Sequence, residues 1–133
     1  MKVAIVGSRR WQNKGKIKDF IFKLKEQYGD ELTIVSGGCK DGADIIAKKV
    51  ALEFDINYVE FPPTHDEYNM YCVLPRWKYG KQYGVWRYFE RNKQIAEYSD
   101  ITVGFIPVGM TSNGTMSTLE QAEKSNKKTI IIS

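Results

Sequence analysis

The sequence is poor in the residues that make metal and disulfide chemistry. It has one histidine, His65, and two cysteines, Cys39 and Cys72. Their spacing matches no tetrahedral ligand pattern, so no metal and no resident cofactor are expected. Two cysteines allow at most one disulfide. The first residues, Met1-Lys2-Val3-Ala4-Ile5-Val6-Gly7, read as a short strand ending in glycine rather than as a secretory leader, so reduced thiols and a cytoplasmic location are expected. No apolar run approaches the roughly twenty residues that cross a bilayer. A strong excess of one charge is also lacking, and the balance is only mildly basic. The net charge of +4 suits an anionic ligand without demanding a nucleic acid, and the lysines of 14–18 and 23–25 fit the solvated face of a helix. No repeat, linker or change of composition divides the 133 residues, so one domain over 1–133 is expected.

What is present is an alternation of short apolar runs with helical periodicity. Apolar runs at 3–6, 32–35, 56–61, 101–106 and 129–132 read as strands. Residues 15–28, 43–54, 85–98 and 115–125 place apolar side chains at helical spacing, as Ile17, Phe20, Ile21 and Leu24 do in the first. Continuous apolar strands alternating with helices predict an α/β fold: a Rossmann-like, doubly wound parallel sheet of about five strands in three α/β/α layers. The segment 64–83 interrupts the alternation. It mixes Tyr68, Tyr71, Trp77, Tyr79 and Tyr83 with Arg76, Lys78 and Lys81, and its length points to function or a local element.

In such sheets ligands gather beyond the carboxyl ends of the strands. Three stretches fall there: Gly7-Ser8-Arg9, Ser36-Gly37-Gly38, and Ser112-Asn113-Gly114-Thr115. Strand, glycine turn and helix start in that order make an anion site, because the first helical amides lack partners and the macrodipole favours negative charge. The Ser8 hydroxyl and the Arg9 fork suit a phosphate. Asp41 and Asp44 open a helix. Asp41 is read as its cap, and Asp44 as either a cap or a partner for a ribose hydroxyl. Trp77, Tyr79, Tyr83 and Trp86 fit either a stacking lid over a base or a protein interface. His65 is read as an ordinary loop residue and Cys39 as incidental.

Taken in order, Gly7-Ser8-Arg9, Val35-Ser36-Gly37-Gly38, Asp41-Gly42-Ala43-Asp44, Tyr79-Gly80-Lys81 with Arg91-Asn92, Ser99-Asp100 and Gly114-Thr115 resemble the SLOG superfamily over nearly the whole chain. The nearest resemblance is to its small bacterial and phage branch related to the YspA-like proteins. The superfamily also holds the LOG phosphoribohydrolases, which release a free base from a nucleoside monophosphate, and the DNA-processing protein DprA. The resemblance implies a nucleotide or nucleotide-derived ligand, such as an ADP-ribose-type signal, at the sheet's carboxyl edge. Gly37, Gly38 and Gly42 match the first glycine motif, and Gly114 and Thr115 the later phosphate-binding one. Arg91, with Asn92 beside it, stands where the LOG enzymes carry their arginine. Their glutamate, three residues after the threonine, is Thr118 here, and the nearest acid is Glu120. LOG-type cleavage of an N-glycosidic bond, with Arg91 holding the phosphate side and Glu120, Asp44 or Glu90 as the acid, is the alternative, and DprA-type nucleic-acid binding a second one. The superfamily resemblance also implies a homo-oligomer.

Overall fold

β1 (Lys2–Gly7) is the middle strand of the sheet, and both of its edges are paired. The computed structural model describes residues 1–37, 41–61 and 85–133, with backbone only for 85–90. Among these residues β1 is followed by α1 (Lys14–Tyr28), β2 (Thr33–Ser36), α2 (Ala43–Glu53), β3 (Asn57–Glu60), α3 (Val85–Tyr98), β4 (Ile101–Phe105), α4 (Asn113–Lys124) and β5 (Lys128–Ile132). All pairings are parallel, in the order β3-β2-β1-β4-β5. The chain order reverses between β1 and β4, which opens the sheet's carboxyl edge there into a crevice.

The period-2 alternation of β1 divides the core. Val3 and Ile5 pack with Ile17 and Ile21 of α1 and Ile46, Ala47 and Val50 of α2. Ala4 and Val6 turn to the other face, against Ile95 of α3. On that same face the Cβ-less Gly104 lets Thr115 and Leu119 of α4 come against β4. The expected doubly wound, three-layer fold is what forms. Among the described residues Phe105 is the largest fully buried side chain. It takes Trp11 and Phe20 edge-on, with ring centroids 5.2 and 5.9 Å away.

Lysines close two helix C-termini. Lys25 Nζ donates to Phe54 O at 2.8 Å, behind α2. Lys127 Nζ donates to Ser99 O at 2.8 Å and Glu97 O at 3.0 Å, behind α3. Each cation meets carbonyls that lack helical partners and complements the dipole.

The strand and helix boundaries differ from the sequence expectation by a residue or two, and one difference matters. α4 starts at Asn113, ahead of the expected 115, because Ser112 adopts the extended N-cap conformation (φ −139°, ψ 98°). Gly114 and Thr115 therefore lie inside the helix's first turn rather than in the loop before it.

Candidate functional site

The crevice at the carboxyl edge is a cavity of about 1100 Å³. Of the residues singled out in the sequence, Gly7, Ser8, Arg9, Gly37, Gly42, Asp44, Arg91, Asn92, Ser112, Asn113, Gly114 and Thr115 line it together. Gly38, His65, Cys39, Cys72, Trp77, Tyr79 and Tyr83 lie outside the described residues, as does the side chain of Trp86.

The β1–α1 loop is held from two sides by one residue. The Ser8 amide donates to Phe105 O at 3.0 Å, which ties the loop to β4. Ser8 O accepts from Trp11 N at 3.1 Å and from Ala43 N at 3.3 Å, which ties it to α2. Ser8 Oγ accepts from Arg10 N at 3.1 Å, so its hydroxyl hydrogen is left to donate. Two glycines permit this closeness. A Cβ on Gly7 would stand 2.5 Å from Phe105 O and 2.7 Å from Ala43 Cβ. Gly42, at φ +75°, lies directly against Ser8 O and the Arg9 backbone. Gly114 is different: beyond its own helix's backbone, no described residue lies within 4 Å of where its Cβ would be, so the backbone there is open to whatever fills the cavity.

Two helices point uncapped N-termini at this space. α2 has Gly42 at its N-cap, with no side-chain hydrogen bond. The expected Asp41 cap is not made. Gly42 takes the cap position because its φ and ψ of 75° and −145° suit glycine alone, and Asp41 is left exposed on the cavity wall. α4 has Ser112 at its N-cap, but the hydroxyl bonds Thr115 Oγ1 at 2.7 Å rather than a backbone amide. The first amides of both helices thus lack the usual side-chain acceptor. Three arginines, Arg9, Arg10 and Arg91, share the wall with Asp41 and Asp44. Asp44 is buried, at 8% exposure, although a carboxylate is rarely so far from solvent.

Arg91 turns from α3 into the cavity wall. Its Nε donates to Asn92 Oδ1 at 2.9 Å and its Nη1 to Gly37 O at 2.9 Å. Asn92 is buried, and its Nδ2 donates onward to Gly114 O at 3.4 Å, where Thr118 Oγ1 also donates at 3.1 Å.

Two sequence-predicted residues are not brought to the cavity. Ser36 is fully buried and turns toward β3. Tyr58 donates to Glu60 Oε1 at 2.9 Å, so Ser36 Oγ is the donor in its 2.9 Å bond to the phenol oxygen. Ser36 shares the parity of Ile34 along the strand, and that face belongs to the core. Glu120 is exposed and lies off the cavity wall. α4 turns Thr115, Thr118 and Leu119 inward, and Glu120 falls about 200° around the helix from Thr118. Conversely, Arg10, Gln12, Met110 and Thr111 line the cavity without having been singled out. Their adjacency to the Gly7-Ser8-Arg9 and Ser112–Thr115 stretches was the only sequence signal for them.

Burial pushes the Tyr58 phenol far above the usual tyrosine range; the Ser36 hydrogen bond opposes this and the Glu60 carboxylate adds to it. An unfolded phenol ionises near pH 10 while the folded one keeps its proton. The stabilisation is complete below about pH 10 and fades above it, by at most about 1 kcal/mol per pH unit once partial exposure is discounted. Urea denaturation between pH 9 and 11 should therefore show a shallower alkaline loss for Tyr58→Phe than for the native chain.

The fold and the cavity together define a Rossmann-like α/β protein with its open site at the topological switch point. Residues 1–68 match the model of the YspA, cpYpsA-related SLOG family, and the chain belongs to that family. The fold is similar to the molybdenum cofactor binding protein of the phototrophic bacterium Rippkaea orientalis, with a TM-score of 0.67 and 17% identity over 98% of this chain and 74% of that one. It is also similar to the molybdenum cofactor carrier protein of Chlamydomonas reinhardtii, with a TM-score of 0.60 and 20% identity over 98% of this chain and 74% of that one. At such identities the likeness is one of fold. No curated protein sequence matches the chain.

Proposed function

We propose that this protein binds a nucleotide or a nucleotide-derived ligand in the cavity, with an anionic group on the first turn of α4. The single observation that carries this reading is that first turn. It combines an N-cap without a side-chain bond to the backbone and an open Gly114, and it shares the cavity wall with Ser8 and Arg9. Unpartnered amides, a helix dipole and an arginine fork favour the same charge. Asp41 and Asp44, on the α2 side, are acceptors suited to sugar hydroxyls. The cavity exceeds what a lone phosphate would fill, which fits a ligand with a sugar and a ring attached.

Titration calorimetry with adenosine monophosphate, ADP-ribose and adenosine tests this. Saturable binding of the first two and loss of binding with adenosine is the expected result. Adenosine binding as tightly as its monophosphate would sink the anion assignment. Mass spectrometry of the supernatant from denatured protein would identify a ligand carried through purification.

A molybdenum-bearing cofactor is the second reading, favoured by the cavity's position on a fold shared with proteins described as binding one. Among the described residues no cluster of His, Cys, Asp and Glu could hold a metal ion directly, so such a cofactor would be held through its organic part. Molybdenum in the purified protein by elemental analysis would favour this reading over the first. LOG-type hydrolysis is less supported, because Glu120 lies away from the cavity and Thr118 holds the other candidate position. Among the described residues Asp44 and Asp41 are the carboxylates on the cavity wall, and free base released from a nucleoside monophosphate would reveal their use. The aromatic segment that a DprA-type reading needs lies outside the described residues. No helix among the described residues is long and apolar enough to cross a membrane. We place the protein in the cytoplasm as a homo-oligomer, which light scattering on the purified chain would check.

A further inference from the structure

We infer that Arg91 and Asn92 form a clasp that fixes the two ligand loops relative to each other, so that both are positioning residues. The inference deepens the ligand-binding reading, and only its affinity measurement rests on that reading. The loop after β2 and the first turn of α4 are far apart in sequence and belong to different crossovers. One continuous chain of hydrogen bonds joins them: Gly37 O to Arg91 Nη1 at 2.9 Å, Arg91 Nε to Asn92 Oδ1 at 2.9 Å, and Asn92 Nδ2 to Gly114 O at 3.4 Å.

Three features make this more than a set of adjacent contacts. Arg91 and Asn92 are consecutive on α3, so one rigid helix carries both halves of the link. Asn92 is 96% buried by its 4% exposure, where an amide with an unmet donor or acceptor is costly. It therefore has one orientation: Oδ1 toward the guanidinium and Nδ2 toward the carbonyl. Gly37 is also shaped for the link, because a Cβ there would collide with Arg91 Nη1 and stand 3.0 Å from Asp44 Oδ2. The planar guanidinium presents two N–H groups in fixed directions, which a lysine cannot reproduce. Two of the Arg91 nitrogens thus serve protein acceptors rather than a ligand phosphate.

A clasp makes a particular prediction about action at a distance. Asn92→Leu removes both amide bonds at nearly constant volume and makes no contact with Gly37. The Gly37 carbonyl carbon resonance should nevertheless move, and the Arg91 Nε–H signal should lose its protection from solvent exchange. Arg91→Lys should in turn shift the Gly114 carbonyl resonance. Carbon- and nitrogen-labelled full-length protein provides these readouts without any ligand. A Gly37 resonance unchanged in Asn92→Leu, with the variant folded by its remaining spectrum, would overturn the clasp.

Adenosine monophosphate is the probe for the binding consequence. Each single variant should weaken it by about tenfold, and the double variant should be no worse than the weaker single, since cutting one chain twice adds nothing. A double variant weaker by about a hundredfold, the additive result, would show two independent roles and overturn the proposal. If the native chain does not bind this nucleotide, the nucleotide reading fails, and the resonance measurements still decide the clasp.

Discussion

Alanine at position 42 will lower the unfolding free energy by about 3 kcal/mol. Two effects add. Gly42 sits at φ 75° and ψ −145°, a region that only glycine occupies without strain. Its absent Cβ is also where Ser8 O and the Arg9 backbone lie, and backbone cannot swing aside as a flexible side chain can. Gly109 provides the control. It too has a positive φ, 80°, but no described residue other than its chain neighbours lies within 4 Å of its Cβ position. Gly109→Ala should cost only about 1 kcal/mol, the conformational part alone. Urea denaturation of the two variants separates the terms. Equal losses would show that the approach of α2 to the β1 loop does not constrain the residue. The expected excess at Gly42 should also appear as weakened nucleotide binding, because the displaced atoms are those that place Ser8 and Arg9.

Aspartate at position 114 should do the opposite to stability and far more to binding. An acid in the first turn of a helix complements the dipole, and the side chain enters open space. The melting temperature should stay level or rise by about 2 °C. Binding of adenosine monophosphate should fall by about a hundredfold, because the new carboxylate occupies and repels the anion that α4 would otherwise hold. Gly114→Ala adds the methyl without the charge and should lose about tenfold, equivalent to 1.4 kcal/mol. Differential scanning fluorimetry and calorimetry on the same samples read both quantities. Unchanged affinity in Gly114→Asp would remove the anion from α4.

The opposite signs of these two predictions follow from what glycine does at each place. Glycines 42 and 114 were both legible in the sequence as parts of loop motifs, but their roles were not. Whether a missing Cβ makes room for neighbouring backbone or for a ligand depends on which loop comes alongside, and that is decided by crossovers far away in the chain. The sheet itself was legible because its cause is local: apolar runs too short for helices, separated by helical periodicity. The gathering of three loops at one edge followed from parallel topology alone. Ser36 was misplaced because glycine-flanked serines at strand ends suggest a loop, while its strand parity commits it to Tyr58. Glu120 was proposed from nearness in sequence to the Thr118 position, and two residues along a helix point nearly opposite ways. Arg91 was found for its resemblance to an enzyme arginine. Nothing local shows that its fork closes on Gly37, because that partner follows β2 and lies 54 residues away in the chain.

The central place of β1 has a consequence for how the protein is made. β1 precedes the other four strands of the sheet in the chain, yet its pairing is completed only by the fourth of the five. It gains a neighbour when Thr33–Ser36 emerges, but its other edge waits for Ile101–Phe105. At translation rates of about 10 residues per second that wait lasts several seconds. Throughout it, the uncharged run Val3-Ala4-Ile5-Val6 presents unpaired amides and carbonyls on one side, the template from which strand-to-strand aggregation starts. The strand that anchors both walls of the cavity is also an adhesive edge of the nascent chain until β4 arrives to cover it.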